Sequence, residues 1–134
     1  MRAAPHVILL VEDDLGHAEL IRANLELGNV PQEIEHVTDG QQALDFLRRR
    51  SSVLVLLDLS LPRVDGIEFL RRLKSRPESR RHPVLVFAAE DDPQLIARCY
   101  ELGCSLYFQK PALLEDFLGT VSRLAGLIQA VSVP

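Results

Sequence analysis

VLVLLDLSLPRVDGIEFLRRLK, residues 53–74, carries the pattern that decides the fold. Val53 to Leu57 are all apolar and do not alternate with polar residues. A short run of this kind is a strand covered on both faces, and such strands belong to parallel sheets. The run stops at Asp58, a polar loop follows, and Gly66 to Leu73 takes on helical spacing with Ile67, Leu70 and Leu73 apolar. This stretch is therefore one strand–loop–helix unit.

The same unit recurs on both sides. Val7 to Val11 is an apolar run broken by Glu12, Asp13 and Asp14. Leu15 to Leu27 follows as a helix, with Ala18, Ile21 and Leu25 on one face, Asp14 as its N-cap and Gly28 as its terminator. Ile34 to Val37 is a second strand, and Gly40 opens a helix with Ala43, Leu44 and Leu47 inward. Lys74 to His82 reads as a polar, basic loop. Val84 to Phe87 is the fourth strand, and Asp92-Pro93 opens a helix that Gly103 ends. Leu106 to Phe108 is the fifth strand. Leu113 to Ile128 is the last helix, with Leu114, Phe117, Leu118, Val121, Leu124 and Ile128 inward. Strand–helix alternation with apolar strands predicts an α/β fold, a doubly wound parallel sheet with helices on both faces.

Composition sets limits on function. The 134 residues fit a single domain, expected over 1–134 with a core at about 6–128 and no output domain. A hydrophobic fraction of 47% suffices for a packed core. The net charge of -4 gives no basic surface of the kind nucleic acid requires, so no nucleic-acid partner is expected. No apolar run approaches the roughly 20 residues of a membrane span, and no basic-then-apolar leader opens the chain. The expected compartment is the cytoplasm, with no membrane partner. Cys99 and Cys104 lack metal-ligand spacing and read as reduced thiols, at least one of them buried.

In a doubly wound sheet, ligands bind beyond the carboxyl ends of the strands. Strand 1 ends in Glu12, Asp13 and Asp14, strand 3 in Asp58, and strand 4 runs into Ala88, Ala89 and Glu90. Strand 5 runs into Gln109, Lys110 and Pro111. Carboxylates and one lysine thus converge on one edge. A divalent cation and the lysine are the two ways to hold such acids ionised. Magnesium fits, since it takes oxygen ligands, keeps waters and commonly uses one or two carboxylates plus a phosphate. Asp13 and Asp58 are the expected direct ligands, with Glu12 through water and the Ser60 backbone carbonyl beside them. Lys110 is expected to pair with Asp58.

VILLVEDD at 7–14, DGQQALDFL at 39–47, LLDLSLPRVDGIEFLRRLK at 56–74, PVLVFAAED at 83–91 and LGCSLYFQKP at 102–111 together resemble the receiver domains of two-component response regulators. The resemblance covers nearly the whole chain. It implies a five-stranded flavodoxin-like sheet of order 2-1-3-4-5. It implies that Asp58 is the phosphoacceptor, that Glu12 and Asp13 organise magnesium, and that Lys110 contacts the phosphoryl group. It further implies a cis bond before Pro111 and an aromatic switch residue at Tyr107. The implied role is a stand-alone regulator that takes a phosphoryl group from a histidine kinase and signals by protein contact. It is no enzyme beyond magnesium-dependent self-phosphorylation and slow autodephosphorylation. Among single-domain receivers, the likeness extends to those paired with phytochrome-type histidine kinases, some of which dimerise through strand 5 and helix 5. The partners implied are a sensor kinase, a downstream or phosphotransfer protein, and a second copy of the chain.

One position departs from the family pattern. Ala88 stands where strand 4 usually ends in Thr or Ser. The missing hydroxyl removes a hydrogen bond to a charged group, worth about 1.5–3 kcal/mol, and weakens the active state by roughly 10- to 100-fold. Core packing is then as good a reading of Tyr107 as a switch. A receiver that binds its partner without phosphate is the alternative function. A phosphatase of similar topology would need a second Asp at position 60, where Ser60 stands, and neither GxGxxG nor a P-loop is present. Asp14 is read as a cap rather than a metal ligand, Glu90 as either a solvated acid or a donor contact, and His17 as facing water rather than touching a kinase. Arg48-Arg49-Arg50 and Arg80-Arg81 are read as solvated charge, and the apolar tail Ala130 to Pro134 as a surface that invites association.

Overall fold

The structure, a computed structural model, describes residues 5–130. Residues 131–134, and with them most of the apolar tail, lie outside the described residues. The chain runs β1 (Val7–Val11), α1 (Leu15–Leu27), β2 (Glu33–Val37), α2 (Gly40–Leu47), β3 (Val53–Leu57), α3 (Gly66–Lys74), β4 (Val84–Ala88), α4 (Pro93–Leu102), β5 (Leu106–Gln109) and α5 (Leu114–Ile128). The five strands form one sheet in the order β2-β1-β3-β4-β5. Every pairing is parallel, with Val11 opposite both Val37 and Leu57, and Ala88 opposite Gln109. The predicted fold class and strand order both hold.

Strand side chains alternate between two cores. Leu9, Val11, Val55, Leu57, Val84 and Val86 face one cluster, with Phe69, Leu70 and Leu73 of α3 and Ala43 and Leu47 of α2. Ile8, Leu10, Leu54, Leu56, Leu85 and Phe87 face the other, with Ile21 and Leu25 of α1 and Phe117, Val121 and Leu124 of α5. Both faces are thus sealed, which is why β1, β3 and β4 read as unbroken apolar runs.

Four helices start on an acidic cap. Asp14, Asp39, Asp65 and Asp92 each accept a backbone N–H in the first turn that follows, filling donors that a helix start leaves open. Gly103 closes α4 at φ 109°, in the left-handed region that favours glycine. α5 has no side-chain cap.

Several sequence-based expectations shift. Leu114 is 60% exposed rather than inward. Leu113, the N-cap of α5, is exposed as well, so the helix begins before its covered face does. β2, β4 and β5 each gain a residue, at Glu33, Ala88 and Gln109. The basic loop after α3 is not wholly solvated: His82 is buried. Its Nδ1 accepts the Val53 N–H at 2.9 Å, and its carbonyl accepts from Lys74 Nζ at 2.7 Å. Both cysteines are buried and free, and burial pushes the Cys104 thiol up to about 11. No helix among the described residues is long and apolar enough to cross a membrane.

Candidate functional site

Glu12, Asp13, Asp58 and Lys110 sit where a strand gives way to its loop, while Tyr107 lies within β5. Asp58 follows β3, and its backbone N–H donates to the Val11 carbonyl at 2.9 Å. Glu12 follows β1, its N–H donates to the Val37 carbonyl, and its own carbonyl accepts from His36 Nε2 at 2.7 Å. Lys110 follows β5, with its N–H on the Ala88 carbonyl at 2.7 Å. The sheet's own ladder therefore aims these side chains at one point. Glu12, Asp13 and Asp58 each offer a carboxylate oxygen within 4.8 Å of the others. Glu12 is 1% exposed and Asp58 and Lys110 are 8% exposed, while Asp13 lies at the open rim.

Lys110 Nζ makes an ion pair with Glu12 and lies 3.5 Å from Asp58 Oδ2. The lysine was expected to pair with Asp58; it is shared, with Glu12 the nearer partner. Glu12 is the more deeply buried acid, so an ammonium beside it relieves more desolvation. Burial, reinforced by the neighbouring Asp58 carboxylate, pushes the Glu12 carboxyl up to about 8, while Lys110 pulls it down. With Glu12 ionised, three carboxylates would stand against one ammonium, an excess of negative charge at a mostly buried strand edge. A hard divalent cation is the ligand such a donor set suits.

The floor and rim are also defined. Ser60 N–H donates to Asp58 Oδ1 at 3.4 Å and Ser60 Oγ to Glu90 Oε1 at 3.1 Å, so Ser60 bridges the acceptor loop to the loop after β4. The Tyr107 hydroxyl donates to the Glu90 carbonyl at 2.7 Å, and burial first, then Glu90, pushes its pKa up to about 12. Ala88 is fully buried, packed in the same cluster that Tyr107 flanks. Gly66 matches the tight loop: a Cβ there would lie 2.5 Å from Leu59 Cα and 2.8 Å from the Asp58 carbonyl oxygen. Pro62 is exposed on that loop.

The cis bond expected before Pro111 is not found: no peptide bond among the described residues is cis. The two isomers before proline differ by only about 0.5–1 kcal/mol, and here the trans chain already carries Lys110 Nζ to both acids. Asp14 is the cap it was read to be, accepting the His17 N–H at 2.9 Å.

Two participants were missed. His17 does not simply face water. Its Nδ1 lies 3.4 Å from Lys110 Nζ, and its ring packs on Phe117 at 5.2 Å. Its place one residue before inward-facing Ala18 was the available signal. Asp39 is buried, caps α2 and pairs with Arg63 at 2.7 Å, which ties the loop after β3 to α2. Arg63 adopts φ 61°, a conformation that sequence spacing does not reveal.

The comparisons with known proteins agree with this geometry. Residues 8–122 match the family model of the response regulator receiver domain. Response regulator Rcp1 from Synechocystis is 31% identical over 97% of this chain and 94% of its own length. A crystal structure of its Mn(2+)-bound form superposes with a TM-score of 0.89 at 32% identity, covering 97% of this chain and 99% of that one. A response regulator receiver domain from Rhodospirillum rubrum gives 0.91 at 40% identity, covering 96% of both chains. The phosphorylated cyanobacterial phytochrome response regulator RcpA gives 0.88 at 33% identity, covering 98% of this chain and 99% of that one. The chain belongs to the response regulator receiver domain family of two-component systems.

Proposed function

We propose that the chain accepts a phosphoryl group on Asp58 from a sensor histidine kinase and passes the signal on by protein contact. The observation that carries this reading is the convergence of Asp58, Glu12 and Asp13 with Lys110 at one strand edge. A carboxylate oxygen of Asp58 attacks phosphorus, the bond from phosphorus to the donor nitrogen breaks, and an acyl phosphate forms. Such a transfer depends on positioning and on charge neutralisation more than on covalent help. Asp13 and Asp58 would hold magnesium, with Glu12 and the Ser60 carbonyl supporting it. The cation would supply positive charge to the transferring oxygens. Lys110 moves from its acid partners to a phosphoryl oxygen. The protein is cytoplasmic and is not an enzyme in its own right: it carries the phosphoryl group until slow hydrolysis restores Asp58.

The likeness to RcpA, described as a phytochrome response regulator, supports a phytochrome-type kinase as donor. The output partner is a downstream or phosphotransfer protein. Homodimerisation through β5 and α5 is supported by exposed Leu106, Leu113 and Leu114 along that edge. A light-scattering series that stayed monomeric at high concentration would remove the dimer.

Intact-mass measurement after incubation with magnesium and a small phosphoryl donor tests the central claim. One added phosphoryl group is expected, absent without magnesium and absent in Asp58→Asn. No gain, even with a cognate kinase, favours the second reading, a phosphate-independent binding module. Ala88 motivates that reading, because its side chain offers no donor to a phosphoryl oxygen.

A further inference from the structure

Two arginine runs far apart in sequence meet at the end of the sheet opposite Asp58. The ends of α2 and α3, with the loop that follows α3, enclose a groove of about 970 Å3. That volume is in the range of small-molecule sites. Arg48, Arg49 and Arg50 form one wall. Arg71, Arg72, Arg76 and Arg81 form the other, and half-buried Leu44 contributes apolar surface, with Leu47 and Leu73 buried beneath it. The one carboxylate among the lining residues is Glu78. This concentration of positive charge stands in a chain of net charge -4.

Part of the charge is already used. Arg71 and Arg72 pair with Glu68, and Arg48 lies 3.5 Å from Asp45. Arg50 stacks over Phe46 at 3.9 Å and donates to its carbonyl. Arg71 and Arg72 also complement the carboxyl end of α3. Arg49, Arg76 and Arg81 have no such explanation. All three are exposed, outside the helices, and none has a carboxylate within 4.0 Å among the described residues. Arg49 takes φ 62° as the residue just past the C-cap of α2, a common way for a helix to end, and this turn carries its side chain to the groove.

We infer that this groove binds a nucleoside di- or triphosphate. The cationic lining is arginine throughout, with no lysine, and the planar guanidinium fork is the side chain suited to bidentate phosphate contact. Half-buried Leu44, with the methylene stems of the exposed arginines around it, suits a base or sugar face. A long nucleic acid is disfavoured, because the rest of the molecule is acidic and the basic residues line one concavity rather than a stripe. The site is independent of Asp58 chemistry.

Calorimetric titration of the full chain, at low ionic strength and with a chelator so that no divalent cation bridges to the acid pocket, tests the assignment. The probes are ATP, ADP, AMP, inorganic triphosphate and a glutamate-rich peptide. ATP and ADP are expected to saturate one site, with AMP weaker by at least about tenfold, the effect of one lost charge-assisted hydrogen bond. The triple variant Arg49→Gly, Arg76→Gln, Arg81→Gln is expected to weaken ATP by a similar factor while melting and Asp58 phosphorylation stay unchanged. Amide shifts in the unsubstituted protein, clustered at residues 48–50 and 76–81, read the same site without a variant. Non-saturating ATP binding, or shifts elsewhere, overturns the proposal. Equal affinity for inorganic triphosphate overturns the nucleoside, and a peptide that binds where ATP does not assigns the groove to an acidic protein partner instead.

Discussion

Ala88 is the residue at which the sequence departs from the Thr or Ser that the receiver resemblance implies. Its methyl is buried among Val86, Leu57 and Leu59, and beside it Tyr107 is tied to the Glu90 carbonyl. Nothing in that arrangement lets the Ala88 side chain hold a phosphoryl oxygen, so on the proposed function phosphorylation is expected to have little leverage on Tyr107. Ala88→Ser adds one oxygen at a closely packed site without a branched methyl. We expect it to raise the population of moved Tyr107 in phosphorylated protein by roughly 10-fold or more, the effect of one hydrogen bond to a charged group. NMR of the Tyr107 ring with and without phosphorylation reads this directly. Identical Tyr107 populations in the two proteins would show that the hydroxyl is not the missing link. His17 offers a second test at this scale. Its imidazole lies against Lys110 and Phe117, so His17→Ala frees the lysine's outer side. The expected result is a change in phosphorylation rate at Asp58 with the melting temperature almost unmoved; an unchanged rate would make His17 a bystander.

At the scale of elements, the β3–α3 connection matters most, because it holds Asp58 and Ser60 against the sheet. Gly66 permits its close approach. Gly66→Ala drives a Cβ into the backbone at Leu59 and Asp58, and neither atom is the end of a flexible side chain. A cost of about 1–3 kcal/mol is expected, or roughly 4–12 °C in melting temperature, together with slower phosphorylation of Asp58. Loss of stability with an unchanged phosphorylation rate would mean that the strain is relieved away from the site. α3 adds a pH signature. Arg71 first, then Arg72, holds the Glu68 carboxyl down to about 2. A depressed acid stabilises the fold above its ordinary pKa and loses that contribution as pH falls. Glu68→Gln should therefore flatten part of the acid limb between about 4.5 and 2 in pH-dependent melting; an identical acid limb would show that the Glu68 pairs contribute nothing.

The same elements show what the sequence reveals and what it hides. β1, β3 and β4 announce themselves because both faces are covered, and Asp14 and Asp92 mark the starts of α1 and α4; the caps Asp39 and Asp65 emerge only from the structure. Asp58, Glu12, Asp13 and Lys110 are legible because strand ends in a parallel sheet share one edge. Leu114 is misread because helical spacing says which face a residue takes, not whether the first turn of the helix is covered. His17 and the shared position of Lys110 are hidden because side-chain reach across α1 and β5 is a tertiary fact. The arginine runs look like solvated charge for the same reason: only folding brings residues 48–50 and 71–81 to one groove.

Across the whole molecule, two buried ionisable groups sit at opposite ends of the sheet and tilt stability in opposite directions. Glu12, at the acid pocket, is raised by burial to about 8. From about pH 4.5 to 8 the folded chain keeps a proton there that the unfolded chain has released, so stability falls as pH rises through that window. His82, beside the start of β3, is lowered by burial and then by Lys74 and Arg81. The unfolded chain binds its proton first, so stability rises with pH toward the ordinary histidine value of about 6.5. The two slopes oppose each other below that value, and the Glu12 slope stands alone above it. In metal-free protein, stability should therefore decline from about pH 6.5 to 8, and Glu12→Gln should remove the decline. Magnesium needs ionised carboxylates and displaces the proton, so its apparent affinity should climb by up to about tenfold per pH unit over that interval. Its stabilisation, set by the ratio of free metal to dissociation constant, should then offset the decline at pH 8 more than at pH 6.5. Denaturant melts of wild type and Glu12→Gln at both pH values, with and without magnesium, separate these contributions. A metal-free profile that is flat from pH 6.5 to 8 and indifferent to Glu12→Gln would mean that Lys110 keeps Glu12 ionised despite its burial, and that magnesium meets a pocket already charged to receive it.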